Sequence, residues 1–311
     1  MKTKLIWFLI ATLCFSCKKS DRAFIQNTDH KQTFAILCIK NNRITKDWKN
    51  ALLRRKSLEY LDSLEKVIKP LSKEEHEWVN LITSKTNYWN SIKDSLKVPF
   101  GDIYISDTTF VYLGYQGSDD GFTYKHQTVC LDITALHKVY GSAKDSVNDN
   151  RIDRIFAHEY THLLHKEWMR QKQLKLETFK DSILWECVYE GIGMYRSMSK
   201  KWHPVNGKLS KTAKHTFNDL YPTFVNRLTT IENSEELSLE EKRNLHKNLS
   251  KAPMHKKWGA LPLGVWFALE ANGNDENLVH WIDKGPNAVI PLAKKYLTRE
   301  EKLIFEETFK N

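Results

Sequence analysis

Cysteine is scarce in this 311-residue chain, with five in all. Two of them fall in the first 17 residues. The three that remain, Cys38, Cys130 and Cys187, can close at most one bridge, which excludes a disulfide scaffold. None of these three stands in a CxxC pair, so a cysteine zinc knuckle is excluded too. The sequence has no internal repeat and no low-complexity tract. It also lacks a basic stripe interleaved with aromatics and any nucleic-acid motif, so nucleic acid is not an expected partner. The apolar run at residues 5–15 falls short of the ~20 residues that a membrane-crossing helix needs.

What is present describes a soluble, folded protein. Hydrophobic residues make up 41%, charged residues 28% and aromatics 12%, enough for a sizeable core. The net charge is +10, and removing Lys2 and Lys4 with the first segment lowers it to +8. The lysines are scattered, which reads as a solvated surface. MKTKLIWFLIATLCFSC, residues 1–17, has a positive start and a short apolar run, the pattern of a secretory signal. Its end, Cys14-Phe15-Ser16-Cys17, resembles a bacterial lipobox with Cys17 as the acylated residue. That resemblance implies a lipid-anchored protein of the bacterial cell envelope, on the outer membrane and facing the periplasm or the surface. Residues 18–31 then form a polar tether.

Beyond the tether, three regions differ in texture. Residues 32–98 carry helical spacing: Leu52, Leu53, Leu58, Leu61, Leu64, Val67 and Ile68 recur at three- and four-residue intervals. Pro70 ends that helix, and Ser72 with Glu75 forms a capping box that opens another. Residues 99–200 begin with β-rich segments at 101–107, 109–115 and 122–133, with the turn GSDDG between the last two. Helical spacing returns near Asp149 and persists through 201–311, with capping boxes at Ser238/Glu241 and Thr298/Glu301. The expected fold is α+β, a small antiparallel sheet followed by a mainly helical C-terminal part.

The stretch RIFAHEYTHLLHKEW, residues 154–168, carries the chemistry. Ile152, Ile155, Phe156, Leu163 and Leu164 mark one helix face, and Asp149 or Asn150 can cap its start. His158 and His162, four apart, project from the same side and can close on one Zn²⁺. Glu159 lies one position round the helix, within reach of a water beside that ion, which makes it the candidate general base. His165 sits a further turn along, as a flanking polar residue or a rim contact to substrate. Metzincin spacing is absent, because Trp168 stands where the third histidine would be. A third ligand is therefore sought in DSILWECVYEGIGMYR, residues 181–196, which offers Glu186 and Glu190 one turn apart.

HEYTH followed by YEGIGMY resembles a gluzincin metallopeptidase, and more narrowly the predicted zinc-dependent proteases of the DUF2268 group. Residues 100–200 carry the resemblance, with a faint echo at PLGVWFALE, residues 262–270. It implies a zincin-like fold, Zn²⁺ as cofactor, His158, His162 and Glu190 as ligands, and Glu159 as base. It also implies hydrolysis of a peptide or protein substrate by a zinc-activated water. Gly191 and Gly193 would let the second helix approach the first. A rival arrangement uses Glu186 as ligand and Glu190 as the group orienting a histidine. Tyr195, His203, Tyr221 and His255 are candidate oxyanion donors, and residues 122–133 the natural edge for pairing with an extended peptide. A non-catalytic, metal-binding envelope lipoprotein is the alternative, and the same chemistry would serve other amides, such as those of the cell wall.

Overall fold

A computed structural model describes residues 31–115, 119–234 and 236–310. The expected signal, Cys17 and nearly all of the tether lie outside these residues. Three short strands open the described chain: β1 (Gln32–Leu37), β2 (Ile39–Lys40) and β3 (Arg43–Ile44). Helices α1 (Lys46–Leu52), α2 (Leu58–Val67) and α3 (Lys73–Lys97) follow. The run from Leu52 to Ile68 is thus broken into two helices, the second capped by Ser57. The Ser72–Glu75 capping box forms as expected, with both reciprocal bonds present.

Strands β4 (Thr108–Gly114), β5 (Gly121–Tyr124) and β6 (Thr128–Asp132) complete the sheet. Its order is β1-β4-β6-β5. The expected antiparallel sheet is in fact mixed: β1 pairs with β4 and β4 with β6 in parallel, and only β5 runs antiparallel to β6. A parallel pair needs a long crossover, which α1 to α3 supply between β1 and β4, while β5 lies between β4 and β6 in the chain. No local turn signal announces such a pairing, and β1 buries only Thr33 fully. Segment 101–107 forms no strand, and 122–133 is a hairpin that runs into a helix. The edges of the sheet are therefore β1 and β5, while β6 lies inside it.

The helical remainder comprises α4 (Ile133–Tyr140), α5 (Ser146–Gln171), α6 (Phe179–Ser197), α7 (Lys211–Asn233), α8 (Leu239–His246), α9 (Ala260–Ala271), α10 (Val279–Asp283), α11 (Val289–Tyr296) and α12 (Arg299–Thr308). The Ser238–Glu241 box opens α8 as expected. Thr298 precedes α12 without a side-chain cap bond, so the second box does not form. The charged stretch from Glu232 to Lys251 is divided between the end of α7, a loop and α8, which buries no residue. Helix α9 is the reverse, buried on nearly every face, as an all-round apolar helix must be. Trp266 and Phe267 are core residues within it.

Two contacts fix α5, the helix that matters most. On α3, Trp89 stacks on Phe156 at 4.2 Å and 3°, and its Nε1 donates to Asp153 at 2.8 Å. Lys85 pairs with Asp149 and Asp153 at 2.8 and 3.1 Å. On the other side α6 crosses α9 at small residues. A Cβ on Gly191 would stand 2.5 Å from that of Leu263, and one on Gly264 2.8 Å from that of Met194. No described helix is long and apolar enough to cross a membrane.

Candidate metal centre

Helix α5 begins earlier than expected, with Asp145, four residues before Asp149, as N-cap and no side-chain cap bond. Asn148 binds the start instead: its amide donates to Tyr140 and Ser142 carbonyls at 3.0 and 2.8 Å. His158, Glu159, His162 and His165 all lie on this helix. Helix α6 opens with a Thr178–Asp181 capping box and carries Glu190 near its end.

Across the two helices, three donor atoms meet. His158 Nε2 and His162 Nε2 approach to 2.9 Å. Glu190 Oε2 lies 3.9 Å from the first and 3.7 Å from the second. Bonds of ~2.0–2.1 Å in tetrahedral geometry put neighbouring ligand atoms roughly 3.3 Å apart. The three edges bracket that length, so one small cation fits between them, and His158, His162 and Glu190 form a group able to hold a metal ion. Gly193 makes room: a Cβ there would come within 2.9–3.0 Å of both imidazoles. Gly191, expected to act the same way, faces α9 instead.

Both histidines are oriented by their surroundings. The Nδ1 of His158 lies 3.1 Å from Ser197 Oγ, and that hydroxyl donates onward to Met194 O at 3.4 Å. With the Nδ1 hydrogen held by Ser197, Nε2 keeps its lone pair for a metal. His162 is 5% exposed and stacks on Tyr189 at 4.0 Å and 11°. Burial, then the neighbouring His162, pushes His158 down to about 3, so it is neutral near pH 7. Burial would raise Glu190, yet the two histidines hold it down to about 2. Two imidazoles and an ionised carboxylate are a donor set for a divalent ion.

Glu159 behaves oppositely. It is 8% exposed, and burial, with Glu190 and Asp120 adding to it, lifts the carboxyl to about 7 against the pull of His162 and Lys166. Strand β5 passes directly over it, since a Cβ on Gly121 would lie 3.1 Å from Glu159 Cγ. A cavity of about 1000 Å³ opens beside the group, reached by His158, Glu159, His162, Glu190, Lys166 and Lys257. Lys166 donates to Thr123 at 2.5 Å. The Lys257 ammonium makes no direct hydrogen bond or ion pair among the described residues, while Glu190, Asp120 and Glu159 attract it from a distance.

Other candidates fall elsewhere. Glu186 turns away to accept from His246 at 2.6 Å and Ser250 at 2.7 Å, which removes the rival ligand set. His165 is no rim residue. It is fully buried among Phe100, Trp168, Trp185 and Tyr189, and neither ring nitrogen has a hydrogen-bond partner. Tyr195 donates to Asp275 at 2.7 Å, and Tyr221 accepts from Trp266 at 3.2 Å in the core. His203 lies tilted against Tyr195 at 6.1 Å and 37°, and His255 is exposed. None of these four lines the cavity. Asp132 is fully buried and caps α4. Asp119 pairs with Arg55 and Asp120 accepts from Tyr140 at 2.5 Å, so neither assembles a calcium site. Cys38, Cys130 and Cys187 are free and buried.

Sequence reasoning missed Ser197, Lys166 and Lys257. Two of them had a signal: Ser197 is seven residues after Glu190, and Lys166 four after His162, each on its ligand's own helix face. Lys257 comes from a turn before α9 and had none. No protein-family model, curated protein or solved structure matches this chain.

Proposed function

We propose that the chain is a zinc-dependent hydrolase of the gluzincin type, cutting peptide bonds at the α5–α6 junction of a zincin-like fold. One observation carries this reading: two imidazoles and Glu190 converge at 2.9–3.9 Å with an acid of raised pKa, Glu159, beside them. His158, His162 and Glu190 would hold the ion. When bound, zinc would polarise the scissile carbonyl and acidify a water. Glu159 takes that water's proton and returns it to the leaving amine, a task suited to a group near pH 7. Lys257 is the unpaired cation on hand for charge developing on the carbonyl oxygen. An extended peptide pairs with the β5 edge, bringing its backbone over Glu159.

The large open cavity supports catalysis over a scaffold role, because a purely structural metal site has its ligand shell closed by protein. Glu159→Gln is expected to retain zinc and lose on the order of 10²–10⁴ in peptide cleavage. Mass spectrometry of a peptide mixture incubated with zinc-loaded wild type and variant checks this. Cleavage by neither protein, or by both equally, refutes the reading. Anchoring through Cys17 belongs to the same proposal, and Cys17→Ala then moves the protein from the membrane to the soluble fraction.

A further inference from the structure

A second, smaller cavity of about 340 Å³ meets the first at Asp120, His158, Glu159, Ala252 and Lys257, which line both. Its far wall holds Arg151 and Arg154. These two lie seven and four residues before His158, on the face of α5 that also presents the metal-binding histidines. Both guanidiniums bond only neutral partners. Arg151 donates to Asn148 Oδ1 and sits 4.4 Å over the Tyr140 ring. Arg154 donates to Asn150 Oδ1, and to Ser197 O at 3.2 Å. The same Ser197 holds His158, so this arginine is tied into the metal centre.

Three cations thus share a small space, and neither arginine has a salt bridge among the described residues. Asp149 and Asp153 on α5 are committed to Lys85, and Asp153 also to Trp89. Asp120 accepts from Tyr140, and Asp120, Glu159 and Glu190 act on Lys257, which leaves the two arginines as the cations without an ion pair. Arg154 is held below its ordinary range by burial and by the proximity of Arg151. Two guanidiniums side by side in a partly desolvated pocket favour an anion, and a carboxylate matches their fork.

We propose that this cavity receives the C-terminal carboxylate of the substrate, making the enzyme a carboxypeptidase that removes one residue or a short fragment. The idea rests on the hydrolase reading and gives it direction. The peptide enters along β5 through the larger cavity, and its last residue occupies the smaller one. A volume at the low end of the ~300–1,000 Å³ range of small-ligand pockets suits a short fragment rather than a continuing chain. Hydrolysis breaks the C–N bond. It adds the water's hydroxyl to the acyl carbon and the proton carried by Glu159 to the released amine.

Two peptides of one sequence, ending in a free carboxylate or an amide, provide the test. Zinc-loaded wild type is expected to cut near the C-terminal end and to lose about 10- to 100-fold in kcat/KM on amidation, the scale of a charge-assisted bond. Arg154→Gln and Arg151→Gln should each shrink that ratio. Equal rates on the two peptides, or an amidated peptide rescued by a glutamate side chain, overturn the proposal. If neither peptide is cut, the hydrolase reading fails, and calorimetry of both peptides on Glu159→Gln still decides this one. Tighter binding of the carboxylate form supports it, and equal binding overturns it.

Discussion

Ser197 illustrates how much of the centre depends on groups that would never touch the ion. Its hydroxyl holds the Nδ1 side of His158 at 3.1 Å, and loss of such an orienting partner typically weakens metal binding by 10- to 100-fold. Ser197→Ala is therefore expected to lower zinc affinity by roughly that factor with its melting temperature in chelator unchanged. Competition with a fluorescent chelator measures it. His165 poses the converse case, a polar ring sealed in an aromatic box. Burial, followed by His162, drives its pKa well below 6.5, so the folded chain refuses a proton that the unfolded chain accepts. Stability then falls as pH drops below 6.5, by up to ~1.4 kcal/mol per unit. His158 is held low in the same way, so His165→Phe should lessen the slope in denaturant titrations between pH 7 and pH 5 by up to ~1.4 kcal/mol per unit and leave the share of His158 in place. An unchanged slope would place the acid sensitivity elsewhere. Nothing in the spacing of HLLH distinguished this buried ring from a rim residue, because both positions share one face of α5.

At the level of elements, two glycines on α6 separate function from packing. Gly193 faces the imidazoles and Gly191 faces α9. Gly193→Ala should abolish or sharply weaken zinc binding, because its methyl would fall 2.9 Å from the His158 ring. Gly191→Ala should instead destabilise the fold by about 1–3 kcal/mol through overpacking against Leu263, with zinc affinity retained in the folded fraction. Metal titration and thermal melting on both variants separate the two effects. The helices themselves were legible: α3 and α8 announce their starts by Ser-x-x-Glu boxes, and α5 and α6 by their apolar periods. Thr298 and Glu301 offered the same letters without the bond, so the motif marks a helix start more safely than a cap. The strand pairing was not legible. Strand β1 finds β4 some seventy residues later, and a one-dimensional pattern holds no record of such a partner.

Over the whole molecule, the positive charge that reads in sequence as scattered surface lysine gathers in part around one place. Arg151, Arg154, Lys166 and Lys257 line the two cavities that meet at His158 and Glu159. The first three stand on α5, beside the motif. Lys257 arrives from a turn almost a hundred residues beyond the motif, which is why no local pattern foretold it. The metal pair, by contrast, was visible because four residues of helix fix its separation, and its third member because α6 follows at once. An ion held across α5 and α6 would also stabilise their packing, so melting should rise with free zinc as binding linkage requires. The decisive measurement is zinc content per chain, by elemental analysis after dialysis, for wild type, Glu190→Gln and Glu186→Gln. One ion per chain in wild type and Glu186→Gln, with loss in Glu190→Gln, is the expected result. Zinc kept by Glu190→Gln and lost from Glu186→Gln, or no zinc in any of the three, would contradict it.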